Sequence, residues 1–227
     1  MQSSETTSAR RIALYDAARG GAPDGQGSLH FHTSPDAQAI QRFADETTLL
    51  DTTAERRDAA GYVLLPGSVP PLNRLAGYSL SFNVQIVSEM HGWSDKNGDG
   101  IGDRAGFSVI VLSSDGLGIE LGFWQDEVWA QEEGSAEPPD GTLFTHGEGV
   151  QLDTTAGLIS YLLVVQADSY HLYGAGQPLL DGRLRDYRAF DGPVNPYRTP
   201  NFVFLGDDTS SAQAVVRLGD IALTLYG

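Results

Sequence analysis

Cysteine is absent from this 227-residue chain, so no disulfide and no thiolate metal site can hold the fold together. That absence does not fix the compartment. Basic residues are scarce, with 14 Lys and Arg against 30 Asp and Glu, giving a formal charge of −16 and a pI near 4.4. Such a field repels phosphate backbones and anionic lipid surfaces, which argues against nucleic acid and membranes as partners. Neutral sugars and cations remain compatible with it. No stretch approaches the ~18 uninterrupted apolar residues of a membrane span, so membrane insertion is not expected. The opening Met1-Gln-Ser-Ser-Glu-Thr-Thr-Ser-Ala-Arg-Arg11 is polar and lacks the apolar stretch of a signal peptide, so any export signal would lie outside this sequence. No serine-nucleophile elbow, phosphate loop or dinucleotide fingerprint occurs.

What the chain does have is apolar mass and turn-formers. Hydrophobic residues make up 41% and charged residues 19%, with 27 glycines and 11 prolines, which suits a folded domain rich in turns. In Tyr78–Ile86 every even position is apolar and every odd one polar, the period of a strand with one face in a core. Similar runs are expected as strands at residues 12–15, 28–32, 47–51, 61–65, 107–112, 117–124, 127–131, 158–167, 170–173, 202–205 and 214–226. Residues 37–43 are read as a short helix, and 20–27 and 133–141 as loops. The expected fold is all-β, a two-sheet antiparallel β-sandwich filling residues 11–227 as a single domain, behind an unordered tail over residues 1–10.

The most specific chemistry lies in Asp95-Lys-Asn-Gly-Asp-Gly-Ile-Gly-Asp103. Oxygen side chains recur at Asp95, Asn97, Asp99 and Asp103, glycines permit sharp turns, and Ile101 offers a carbonyl, a spacing similar to calcium loops in EF-hands, dockerins and thrombospondin-type repeats. Four such groups packed together without a cation would repel one another, so structural Ca2+ is expected. An EF-hand has a bidentate Glu at the twelfth position, where this chain has Gly106. Glu89, a carbonyl or water would then complete the shell. An acidic Gly-rich turn without metal is the alternative.

A second candidate is a polar sheet face. If Ile119, Leu121 and Phe123 point to the core, Glu120 and Trp124 point away from it. Trp129 and Gln131, with Asn83 and Gln85 on the polar face of their own strand, would extend a surface suited to sugars: indoles for the C–H side of a pyranose, amides and carboxylates for hydroxyls. Loops covering the sheet would make the tryptophans packing residues instead. His30 and His32 alternate on one strand face, two ligands short of a usual metal site, while His91 and His146 are isolated. Asp207 and Asp208, in the turn over residues 206–211, are read as an Asx-turn in preference to a second cation site, and Arg183, Arg185 and Arg188 as local ion pairs.

Arg104-Ala-Gly-Phe-Ser-Val-Ile-Val, Gly118-Ile-Glu-Leu-Gly-Phe-Trp124, Val128-Trp-Ala-Gln131 and Phe204-Leu-Gly-Asp-Asp-Thr-Ser-Ser-Ala212, in this order, resemble the concanavalin A-like, laminin-G-like jelly-roll superfamily, specifically secreted bacterial LamG-like domains. The resemblance implies extracellular or cell-surface location and a choice among lectins, glycan-binding or adhesion modules and glycoside hydrolases. Glu-Leu-Gly-Phe-Trp is loosely similar to the nucleophile strand of one jelly-roll endoglucanase family, which makes Glu120 a candidate catalytic residue. Glu89, Glu127 or Glu148 would be its second acid. The ExDxxE signature of laminarinase-like jelly rolls is absent. The readings left open are a carbohydrate-binding or adhesion module with a calcium loop, which is favoured; a glycoside hydrolase; and a structural surface-assembly component.

Overall fold

The computed structural model describes residues 9–92, 94–136, 141–192 and 194–227. Its strands are β1 (Arg10–Tyr15), β2 (Leu29–Thr33), β3 (Ile40–Ala44), β4 (Thr47–Asp51), β5 (Ala60–Leu64), β6 (Tyr78–Met90), β7 (Ser108–Leu112), β8 (Gly118–Phe123), β9 (Glu127–Gln131), β10 (His146–Gln151), β11 (Ile159–Gln166), β12 (Ser169–Gly174), β13 (Gln177–Arg183), β14 (Val203–Asp207) and β15 (Gln213–Leu225). Helical structure among the described residues is confined to 3-10 turns at Ala17–Arg19, Pro23–Gln26 and Pro196–Arg198. The fold is an antiparallel jelly-roll-like β-sandwich.

The first sheet runs β13-β12-β11-β6-β15-β4-β3, with β1 also paired to β15, and the second runs β10-β9-β8-β7-β14-β5-β2. The strictest alternation in the sequence became the central strand β6. Its Tyr78, Leu80, Phe82, Val84 and Ile86 are all buried between the sheets, each worth roughly 1.5–3 kcal/mol relative to exposure. Opposite them, Ile119, Leu121 and Phe123 of β8 point inward as expected, and Phe82 meets Phe123 edge-on at 6.0 Å.

Two expectations need correction here. Residues 37–43 do not form a helix: Ile40–Ala44 pairs with β4 as a hairpin whose turn residues Asp45 and Glu46 both have positive φ. Residues 1–8 of the proposed tail lie outside the described set, but Arg10 already pairs with Leu225, so the ordered sandwich starts inside residues 1–10. The expected loop at 133–141 includes residues 137–140, which also lie outside it.

The second sheet is unusual in being buried on both faces at its centre, since all of β7 and β8 and nearly all of β9 are inaccessible. Residues 132–136, 141–145, 184–192 and 194–202 form the roof. Leu143, Phe144, Tyr187 and Tyr197 pack on Ile110, Leu112, Phe202 and Phe204, making a second hydrophobic cluster outside the main core. That roof decides which side chains can reach a ligand.

Candidate functional site

On the roofed face of the second sheet, Glu120 is fully buried. It lies across from Ile110 in the β7–β8 ladder, in a stretch that is otherwise apolar. Tyr187, from the roof, donates its hydroxyl to the Gln131 carbonyl at 2.8 Å and accepts from the Glu120 amide at 3.2 Å, bridging β8 and β9 where their ladder stops. Tyr197 donates to Glu120 Oε2 at 2.5 Å. Arg104 donates to Asp208 Oδ2 at 2.6 Å and lies 3.6 Å from Glu120 Oε1. Glu120 Oε1 and Asp208 Oδ1 are left without hydrogen-bond partners among the described residues.

The electrostatics follow from this enclosure. Burial, reinforced by the neighbouring Asp208 and only partly opposed by Arg104 and Tyr197, pushes the Glu120 carboxyl up to about 8. At neutral pH the acid is therefore mostly protonated. Burial works against the Arg104 charge, but Asp208 and Glu120 outweigh it and the guanidinium stays ionised.

Beside this cluster opens a groove of about 690 Å³. Its apolar walls are Phe144, Phe190, Tyr197, Phe202 and Phe204, with Val63 and Ile110; its polar groups include Lys96, Arg104, Asp208 and His32. Glu120 stands behind the lining. Asp208, Arg104 and Tyr197 are the members of the cluster that reach the groove. Arg104, Asp208 and Tyr197 were not singled out as a site from the sequence, because they approach Glu120 from positions 16, 88 and 77 residues away and carry no local motif.

The expected sugar face does not assemble. Trp124 is 5% exposed and Trp129 fully buried, His91 stacks on the first at 4.0 Å and His146 on the second at 4.4 Å, and the Trp129 indole lies across Gly122, where a Cβ would come within 2.7 Å of its ring. Both tryptophans are packing residues. Gln131 is likewise fully buried. Asn83 and Gln85 lie on the outer face of the other sheet, where Gln85 donates to the Thr155 carbonyl at 2.7 Å. Alternation places a residue away from the core, but two sheets have outer faces pointing in opposite directions.

The second acids expected for Glu120 are also elsewhere. Glu89 bonds His91 at 2.5 Å and lines a different, open groove of about 970 Å³ with Asp126 and Asp153. Glu127 faces His146 at 3.3 Å, and Glu148 accepts from Arg185 and Tyr170. Asp208 is the carboxyl that joins Glu120. Asp207 does form the expected Asx-turn to the Thr209 amide, but Asp208 bonds Arg104 instead of the backbone. Arg188 pairs locally with Asp186, whereas Arg185 reaches Glu132 and Glu148 across the sheet. His30 and His32 share an outward face of β2, and only His32 lines the groove.

In the loop Asp95–Asp103, Asp95 accepts the amides of Gly98, Asp99 and Gly100, Asp99 accepts that of Ile101, and Asn97 bonds Asp99. Asp103 is turned inward and fully buried, accepting the Lys96 amide at 2.5 Å and the His146 amide at 3.0 Å. It ties the loop to β10. Among the described residues no three His, Asp or Glu side chains converge closely enough to hold a metal ion.

No protein-family model and no curated protein matches this chain. Solved structures do. A carbohydrate esterase, vb_24B_21, from the Shiga toxin-encoding bacteriophage phi24B is 12% identical with a TM-score of 0.59, covering 96% of this chain and 100% of its own. A Bacillus subtilis protein of unknown function with a galectin-like fold is 8% identical with a TM-score of 0.52, covering 96% and 99%. The alginate lyase A1-II', of polysaccharide lyase family 7, is 9% identical with a TM-score of 0.50, covering 96% and 94%. At such identities the likeness is one of fold, and it places the chain among jelly-roll β-sandwiches in general.

Proposed function

We propose that this protein is a carbohydrate-binding module of the laminin-G-like, concanavalin A-like kind, acting outside the cell or at its surface, with the glycan in the roofed-sheet groove. The observation that carries this reading is the groove itself, in which the half-buried ring of Phe190, backed by a floor of buried aromatics, stands beside directional polar groups. Rings take the C–H faces of pyranoses while Arg, Lys and carboxylates hold hydroxyls. The names of two similar structures, a carbohydrate esterase and an alginate lyase, point to the same ligand class.

Binding is favoured over hydrolysis by the placement of the acids. Glu120 is enclosed, and Asp208 shares Arg104 and Tyr197 with it in one buried cluster, so the two carboxyls do not flank an open space for a scissile bond. The decisive experiment is a glycan array followed by calorimetry. Phe190, a half-buried wall of the groove, meets Phe144 and Tyr197 edge-on, and Phe190→Ala should weaken binding about tenfold, at the upper end of an aromatic contact. The polysaccharide should stay uncut. An array without a single bound glycan would sink the reading.

Calcium at Asp95, Asn97, Asp99, Ile101 and Asp103 belongs to this proposal on the strength of the sequence spacing, and an extracellular setting, where calcium is abundant, goes with it. As folded, Asp95 and Asp103 already hold backbone amides, so an ion would have to share their oxygens. Two measurements separate the ion from the anchor. Asp103→Ala should cost about 1–2 kcal/mol with or without calcium, because it strands two partly buried amides. A chelator should lower the melting temperature of the wild type only if calcium clips the loop; an unchanged melt would retire the ion and leave the anchor.

A further inference from the structure

In a chain with 30 acidic residues and 14 basic ones, cations are expected to be matched by carboxylates. The groove departs from this. Lys96 Nζ and Arg104 Cζ each lie 5.1 Å from the centroid of the same Phe144 ring, so two like charges are gathered around one aromatic ring of the lining. Arg104 is answered by Asp208 at 2.6 Å. The Lys96 ammonium, among the described residues, donates to the Leu143 carbonyl at 3.1 Å and lies over the ring; Asp103 and Glu120 act on it from farther off, but no carboxylate forms an ion pair with it.

The backbone supplies an independent sign. Phe144 has φ of 63°, a left-handed conformation that a bulky side chain rarely adopts, so the chain accepts strain to place this ring between the roof and the two cations. Strain of this kind gathers at ligand sites.

We propose that the ligand of this groove is an acidic glycan, one whose anionic substituent pairs with the Lys96 ammonium while a sugar ring lies along Phe190. This deepens the carbohydrate-binding reading and rests on it. The local charge supports it. Glu120 is held protonated up to about 8, and burial also pushes Asp207 well above the usual carboxylate range, its oxygens taken by Thr52 and the Thr209 amide. Two carboxylates then face Lys96 and Arg104: Asp208, which Arg104 engages, and Asp103, whose oxygens are taken by the Lys96 and His146 amides, so the Lys96 ammonium is the cation left without a direct ion-pair partner inside a protein whose formal charge is −16. Such a site selects an anion that the rest of the surface repels. The uronate and sulfate forms share this chemistry.

The test is calorimetry with three matched probes: oligogalacturonate, a sulfated galacto-oligosaccharide and its neutral parent. At least one anionic probe should bind about tenfold or more tightly than the neutral one, with affinity falling as salt rises. Lys96 is exposed and outside the core, so Lys96→Met should fold, as its melting curve will verify, and should abolish the anionic preference while Lys96→Arg keeps it. Equal or tighter binding of the neutral probe, or a preference that survives Lys96→Met, overturns the inference and leaves the carbohydrate-binding reading standing. If none of the probes, nor any glycan on the array, binds, both fall.

Discussion

Arg104→Met should lower the unfolding free energy by about 3 kcal/mol, the lower end of what is lost when one partner of a buried ion pair is removed. The guanidinium is 9% exposed and is the cation nearest both Asp208 and Glu120, and its ring contact with Phe144 helps seat the roof. Two features keep the loss from being larger. Glu120 is already mostly protonated at neutral pH, and Asp208 retains some contact with solvent, so the stranded charge is one partly hydrated carboxylate. Chemical denaturation should therefore show a lower midpoint with an unchanged slope. Asp208→Asn added to Arg104→Met should recover part of the loss, because it removes the charge that lost its partner. A change below about 1 kcal/mol in the single variant would mean that the roof stands without this pair.

The same cluster marks where the sequence stops being readable. The inner faces were legible: the even positions of Tyr78–Ile86 and the odd positions of Ile119–Phe123 are buried, because a half-buried strand imprints period 2 on its own residues. The strands that escaped, β3, β10 and β13, are all edge strands. An edge strand needs less apolar surface and tolerates residues a central strand does not, such as Pro178 in β13 and the glycines of His146–Gln151. Glu120 stood out as a lone charge in an apolar stretch, but Arg104, Tyr197 and Asp208 reach it through the roof, and chain separation leaves no local trace of such contacts. Trp124 and Trp129 failed for a related reason. Period 2 says that a side chain leaves the core, and a second layer of loops made that outer face an interior as well.

Glu120→Gln should remove most of a pH dependence that the wild type shows between about pH 5 and 9. The sign follows from linkage. Glu120 titrates near its ordinary value of 4.5 when unfolded and near 8 when folded, so between those limits the folded state holds a proton that the unfolded state has lost. Its contribution is fully present below about pH 4.5 and disappears as pH rises through about 8, where the carboxylate must ionise beside Asp208 and inside a closed face. The facing groups are Arg104 and Tyr197, which favour that ionisation, and Asp208, which opposes it; Tyr187 touches the amide of Glu120 and Lys96 lies farther out. With a shift this size, the change across the window should be on the order of a few kcal/mol. Gln keeps the shape and lets Tyr197 donate to the amide oxygen, so the variant should match the wild type near pH 5 and exceed it near pH 9. Denaturation curves at a series of pH values read this directly, and a wild type whose stability rises from pH 5 to 8 at this site, judged by its difference from Glu120→Gln, would reverse the assignment and make Glu120 an ionised partner of Arg104.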